Sequence, residues 1–299
     1  MLYNNYSSYI RETYPDKKVI KVCIDGGFTC PNRDGTKGVG GCIFCGERGS
    51  GEHMAKRIPK EQVQHFMKKC PKADLFLAYF QNFTNTYAPI SVLKERYDSA
   101  LSDSRVVGLI VGTRPDCINE EVADLLATYN STHNLWVELG LQSASDGTGR
   151  VINRGYPTAD FIKAVGLLKY RGIKTVAHMI VGLPGENTNE VDATVDLINS
   201  LDIWGVKIHS LYVMEGTVLA DMYKYGEYTP TPLASYARLT ARALANIRPN
   251  MIVHRITGDC QKDLLLAPDW NRDKDGIIAA VRQEMRRNGW RQGTLYKEK

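Results

Sequence analysis

Residues 174–213 read KTVAHMIVGLPGENTNEVDATVDLINSLDIWGVKIHSLYV, and within them strand, turn, helix and strand patterns follow one another. Lys174–Val181 is a nearly continuous apolar run, and Gly182-Leu183-Pro184-Gly185 breaks it. Thr188–Leu201 then carries apolar residues at helical spacing, and Gly205–Val213 is a second apolar run. Strands this apolar, joined through a helix, pair in parallel beneath covering helices.

The same rhythm extends outward. Val19–Ile24, Asp74–Phe80, Arg105–Val111 and Leu135–Leu141 read as strands. Pro59–Lys69, Pro89–Leu101, Asn119–Tyr129 and Thr158–Arg171 read as helices, with Pro59 in a first turn and Asn119 as a cap. With a helix after Gly216, six strand-then-helix units result. Six is more than half a dinucleotide-binding fold and fewer than a closed eightfold barrel. The expected class is therefore α/β, an open partial (β/α)6 TIM-like barrel, with a doubly wound sheet as the alternative. The tail adds a helix at Leu233–Ile247, a strand at Met251–Ile256 and a helix at Gly276–Asn288, with no linker-like tract before it. The expected layout is an N-terminal segment 1–18, a core 19–228 and a short C-terminal α/β extension 229–299 packed on that core.

The 299 residues, 43% hydrophobic, suffice for a barrel-sized domain and exclude a disordered tail or a small disulfide scaffold. A net charge of +5, from 38 basic and 33 acidic residues, permits an anionic partner such as RNA without demanding one. The longest apolar run, Val106–Val111, falls far short of the roughly 18 residues of a membrane span. Met1–Arg11 lacks the basic start and apolar centre of a signal peptide, so a soluble, cytoplasmic chain with no membrane partner is expected. Seven cysteines in a reducing compartment point to buried thiols, a metal or a cluster.

Cys30, Cys42 and Cys45 are spaced C-x11-C-x2-C in a glycine-studded stretch after the first strand, on the face where α/β folds build sites. Glycines at 35, 38, 40 and 41 are expected to let this stretch fold back on itself. Three thiolates can hold a [4Fe–4S] cluster with one iron open, or a zinc ion with Cys23 or His53 as fourth ligand, and the spacing alone leaves both readings standing. Cys70, Cys117 and Cys260 have no close partner and read as incidental thiols.

The Cys42-x-Phe44-Cys45 pair followed by a β/α rhythm resembles the radical S-adenosylmethionine (SAM) superfamily. Six further blocks are similar, in order, to the radical SAM domain of the Elongator catalytic subunit. They are Gly112-Thr113-Arg114-Pro115-Asp116, Glu138-Leu139-Gly140-Leu141-Gln142-Ser143, Asn153-Arg154-Gly155, Gly182–Gly185, Lys207-Ile208-His209 and Gly216-Thr217. Phe28–Gly35, Tyr79–Pro89, Gly258-Asp259, Leu264–Asp269 and Trp290–Gly293 resemble the bacterial YhcC/YtqA type (MnmL), in which the long C-x11-C spacing replaces C-x3-C.

The resemblance implies a [4Fe–4S] cluster on Cys30, Cys42 and Cys45, with SAM chelating the open iron. An electron from a flavodoxin- or ferredoxin-type donor would split the sulfonium, and the 5′-deoxyadenosyl radical would abstract hydrogen from substrate. It also implies a wobble uridine of tRNA as substrate, its 5-carboxymethylaminomethyl group becoming 5-aminomethyl in mnm5(s2)U synthesis. Among SAM contacts, it implies Gln142, followed by Ser143, at the ribose and Arg154 at the carboxylate. Gln81, Thr84 and Asn85 stand where relatives carry a Gly-Gly-Glu turn for the SAM amino group; the alternative is a polar loop with an Asx turn. Gly112 occupies a position where the superfamily often has a glutamate.

Strand alternation places Glu138 on one face with Gly140 and Gln142, where an ionised carboxylate needs a partner such as Arg114 if it is not a ligand group. His178 either bonds the ribose or packs, and Lys207 and His209 share a face as catalytic candidates, the alternative for Lys207 being a buried ion pair. Tyr79, Tyr87 and Tyr212 near strand ends are candidates to enclose an extruded base. Arg282, Arg286, Arg287, Trp290, Arg291, Tyr296, Lys297 and Lys299, with Arg11, Lys17, Lys18, Lys68 and Lys69, either meet RNA or form a solvated face. Two other functions remain open on the sequence: radical SAM chemistry on a small molecule or protein, and a zinc-stabilised, non-catalytic RNA-binding protein.

Overall fold

A computed structural model describes residues 1–47, 49 and 58–298; His53 and Lys299, singled out above, lie outside the described residues. The apolar runs form strands β1 (Val19–Ile24), β2 (Leu75–Phe80), β3 (Val106–Thr113), β4 (Asn134–Gln142), β5 (Lys174–Val181) and β6 (Gly205–Ser210). A short β7 (Val213–Met214) follows, then β8 (Ile252–Arg255) and β9 (Leu265–Ala267). The main sheet runs β1-β2-β3-β4-β5-β6-β8 with every neighbouring pair parallel. The sequential order of β1 to β6 is that of a partial barrel, and the reversal of order expected of a doubly wound sheet is absent from it. The tail strand β8 pairs with β6, so residues assigned above to an extension supply a seventh strand of the same sheet.

Alternation along the strands separates two faces. Phe76, Ala78 and Phe80, Leu109 and Val111, and Val137 and Leu139 pack outward with helix residues such as Leu93, Leu126, Phe161 and Val195 in the large core. Leu77 and Tyr79, Ile110, Trp136 and Val176 point the other way and form a second cluster inside the curl of the sheet. The connecting helices start where their caps dictate: Asn119 accepts from the Val122 amide, and Asn187 with Glu190 makes a reciprocal capping box.

One helix was not legible as such. Tyr6–Thr13, capped by Asn5, lies across the N-terminal ends of β4 and β5, with Tyr9 in hydrogen-bond contact with Asn134 and Lys174. Asn5 bridges to Val253 of β8, and the Tyr6 ring sits 6.1 Å from Trp136 inside the barrel. Its packed face carries Tyr6 and Tyr9 with a single aliphatic, Ile10, so the segment reads as merely polar. No helix among the described residues is long and apolar enough to cross a membrane.

Gly108, inside β3, sits where a side chain would crowd both neighbouring strands. A Cβ there would stand 2.8 Å from the Asn134 carbonyl oxygen and 2.4 Å from a Leu77 methyl. The methyl can move, but the carbonyl belongs to the adjacent strand. Gly108→Ala is expected to lower stability by about 1–3 kcal/mol, read as a shift in denaturant midpoint; an unchanged midpoint would show that β4 yields there.

Candidate active site

The long gap between Cys30 and Cys42 is folded into a compact excursion. The Arg33 and Asp34 amides bond back to the Cys30 carbonyl, the Lys37 and Gly38 amides to Pro31, and the Gly41 amide to Asn32. Gly41 adopts φ 78°, and a side chain there would run into Arg33. Arg33 in turn donates to the Cys45 and Gly46 carbonyls, both at 2.7 Å. Asn32 and Asn153 tie this excursion to the turn after β4: Asn32 Nδ2 donates to the Asn153 carbonyl at 2.6 Å, and Asn153 Nδ2 to the Gly41 carbonyl at 2.8 Å.

Cys30, Cys42 and Cys45 thereby face one cavity of about 280 Å³ at the C-terminal ends of the strands. Gln81, Thr84, Glu138, Gln142, His178, Lys207 and His209 line it as well, so ten of the thirteen residues proposed from sequence meet in one place. Burial pushes the half-buried Cys42 thiol up to about 12, reinforced by Cys45 and opposed by Arg114. Deprotonated, thiols in such a desolvated wall would be stabilised by a cation bound in the cavity.

The cavity floor is built on one carboxylate. Glu138 Oε2 accepts from Tyr79 at 2.6 Å, lies 2.8 Å from His178 Nε2 and accepts from Lys207, while Oε1 accepts from Trp136 Nε1 at 3.2 Å. Burial opposes ionisation of Glu138, but Lys207, His178 and Lys21 outweigh it and hold the carboxyl well below its ordinary value. Lys207 is pulled down by burial, against the attraction of Glu138. Burial also lowers His209, whose ring stands 5.2 Å from that of His178 and whose buried Nε2 has no hydrogen-bond partner. The Thr84 hydroxyl is likewise buried and unpartnered.

The remaining three lie off the cavity. Arg154, expected at a ligand carboxylate, is fully buried: its Nε donates to Tyr156, NH1 to the Leu141 and Ser143 carbonyls at 2.7 Å each, and NH2 to Asp146 and Thr158. It anchors the turn that presents Gln142, which has φ 58° and accepts from the Tyr156 hydroxyl. Ser143 is buried under that turn, accepting from the Ser145 amide. Asn85 ties β2 to β3 by donating to the Phe80 and Gly112 carbonyls. The arginines lining the cavity are Arg33, Arg114 and Arg255. Arg114 is not the partner of Glu138; its guanidinium makes a two-pronged pair with Asp116. Arg33 and Arg255 were missed, although an arginine in the apolar run Met251–Ile256 is the same signal that exposed Lys207.

A side chain at Gly112 would be cramped, since a Cβ would lie 3.1 Å from the Phe80 carbonyl oxygen and β2 would have to give by a few tenths of an ångström. Tyr79 and Tyr212 reach the cavity, whereas Tyr87 bonds Thr36. Cys23 sits on β1 among Tyr79 and Trp136 inside the barrel and is not among the cavity residues. Among the described residues no three His, Cys, Asp or Glu side chains close on a single-ion site. The donor set of three cavity-facing thiols, with two unpartnered polar atoms beyond them, fits an iron–sulfur cluster and a polar cofactor bound next to it.

Comparison with known proteins agrees with this arrangement. Residues 30–198 match the radical SAM superfamily and residues 203–287 its C-terminal domain. The chain is 38% identical to the uncharacterized protein YtqA of Bacillus subtilis over 98% of this chain and 92% of that one. It is 29% identical to a tRNA uridine(34) acetyltransferase of Dehalococcoides mccartyi over 58% of this chain and 38% of that one. The structure of archaeal Elp3 from Methanocaldococcus infernus shares the fold, with TM-score 0.70 at 20% identity over 92% of this chain and 64% of that one.

Glu138→Gln removes the counter-charge of buried Lys207 and is expected to cost about 3–5 kcal/mol at neutral pH. Because the folded carboxyl titrates below its unfolded value of about 4.3, the wild-type advantage is complete above that pH and is lost as pH falls through the folded value. Urea midpoints of wild type and variant should therefore converge on acidification; a constant gap would show that Glu138 is not the ionised centre.

Proposed function

The chain belongs to the radical SAM superfamily, and from that premise we propose that it is a tRNA-modifying enzyme acting on the wobble uridine, converting a 5-carboxymethylaminomethyl group to 5-aminomethyl. The observation that carries the catalytic part is the placement of Cys30, Cys42 and Cys45 on the same cavity as Gln81, Thr84, Gln142 and His178. The tRNA part is supported by similarity to a tRNA uridine(34) acetyltransferase and by the sequence blocks shared with the YhcC/YtqA type. Cys30, Cys42 and Cys45 would hold a [4Fe–4S] cluster, which would supply the electron for reductive cleavage of SAM.

The protein's own groups orient and shield. Gln81 and the unpartnered Thr84 hydroxyl offer acceptors for an ammonium group, and Gln142 and His178 offer donors and acceptors for a ribose. Phe44, Phe83 and Tyr212 wall the cavity against water. Burial holds His209 neutral, and its unpartnered Nε2 is available to hydrogen-bond a substrate, while Lys207 acts through Glu138 to keep the floor charged and ordered. Arg154 acts by fixing the Gln142 turn. A flavodoxin- or ferredoxin-type donor and a cytoplasmic setting complete the proposal.

Anaerobically reconstituted protein should bind iron and sulfide and cleave SAM to 5′-deoxyadenosine. Cys42→Ala should lose the cluster and the cleavage, whereas Cys70→Ala, which changes a thiol packed against the large core, should retain the cluster. A colourless protein that carries zinc and leaves SAM intact would overturn the radical reading. In tRNA from a strain lacking the protein, mass spectrometry of nucleosides should show the 5-aminomethyl branch depleted and the carboxymethylaminomethyl precursor accumulated; an unchanged profile would overturn the tRNA substrate.

A further inference from the structure

Beside the active-site cavity lies a second, outer one of about 420 Å³, between the N-terminal segment, β8 and the helix Lys274–Arg287. It is lined by Arg11, Arg255 and Arg282 together with Tyr3, Asn5 and Thr257 among others, and no aspartate or glutamate lines it. Arg255 belongs to both cavities, so the two adjoin at its side chain.

The three arginines are not held by carboxylates in the ordinary way. Arg11, exposed, donates to the Ser8 hydroxyl, and Arg282, also exposed, stands 5.8 Å over the Tyr3 ring. Neither forms an ion pair among the described residues, and Arg255 makes only a 3.5 Å contact with Asp259, whose carboxylate also takes Lys274. Thus Arg11 and Arg282, 271 positions apart in sequence and without ion-pair partners among the described residues, share one concavity whose lining has no carboxylate. Guanidinium groups so placed favour a polyanion, and their forked donors suit phosphate oxygens.

We propose that Arg11, Arg255 and Arg282 form a phosphate-binding groove that seats the backbone of an RNA strand and leads its reactive nucleotide past Arg255 into the active-site cavity. This rests on the tRNA reading above and adds where the RNA lies. The groove positions the strand through its phosphates and does not read bases, because Tyr6 is already engaged with Trp136 and His254 and Tyr3 is buried. It also sorts the cations named from sequence: Arg11 and Arg282 belong to it, whereas Arg286, Arg287, Arg291 and Lys297 are outside its lining.

The test is binding of fluorescently labelled, unfractionated tRNA to the cluster-loaded enzyme, measured by anisotropy over a range of salt concentrations. The double variant R11E/R282E should bind about 10-fold or more weakly near 0.1 M salt, with a log–log salt slope shallower by about two, one unit per lost phosphate contact. R11K/R282K should stay close to wild type, and R11Q/R282Q replaces the charge-reversed pair if that pair does not fold. Wild type that binds tRNA, with R11Q/R282Q or R11E/R282E binding equally well at the same slope, overturns the groove alone. Wild type that does not bind tRNA overturns the tRNA reading and the groove together.

Discussion

An ionised carboxylate enclosed by a protein has to be matched where it stands, and Glu138 imposes that requirement on the interior of this barrel. Removing such a charge from water costs several kcal/mol, which only well-placed donors and counter-charge offset. Tyr79 from β2, Trp136 from β4 itself, His178 from β5 and Lys207 from β6 all converge on its two oxygens. These side chains reach Glu138 only if their strands keep the observed register, because a slip of one residue would turn each of them towards the helices. The same centre makes the floor of the cavity polar while the outward face of the same strands stays apolar, so one sheet serves a core on one side and a site on the other.

What the sequence revealed follows from which forces are local. Alternation of apolar strand and amphipathic helix is a local signal, and the strand-forming runs from Val19 to Ser210 stand in the structure within a few residues of their expected limits. The cysteine ligand candidates and Gln81, Thr84, Gln142 and His178 were also legible, since strand ends in a parallel sheet point to one face. Arg154 was not. An arginine in the segment that follows a strand has the same appearance in sequence whether it meets a ligand or three backbone carbonyls, and only the path of the chain, with Gln142 in the left-handed region, decides that it meets carbonyls.

The partners of buried charge were illegible for a related reason. Glu138 and Arg114 sit near one another in the strand pattern, yet Arg114 is satisfied two residues away by Asp116, and Glu138 by a lysine 69 positions downstream. The strand at Met251–Ile256 was legible, but its partner was not: it was placed in an extension, whereas pairing with β6, which requires only an open edge and a parallel approach, makes it the seventh strand of the main sheet.

The excursion between Cys30 and Cys42 has a consequence in time. Its shape depends on Asn153, its following residue Ile43 bonds to Ile152, and Ile43 in turn accepts from Leu219. In a chain synthesised from its N-terminus, the thiols therefore exist before the groups that position them, and the loop takes its shape only once Ile152, Asn153 and Leu219 have been made. The site is a property of the assembled core, and a fragment ending at Cys45 would hold the ligands without the arrangement.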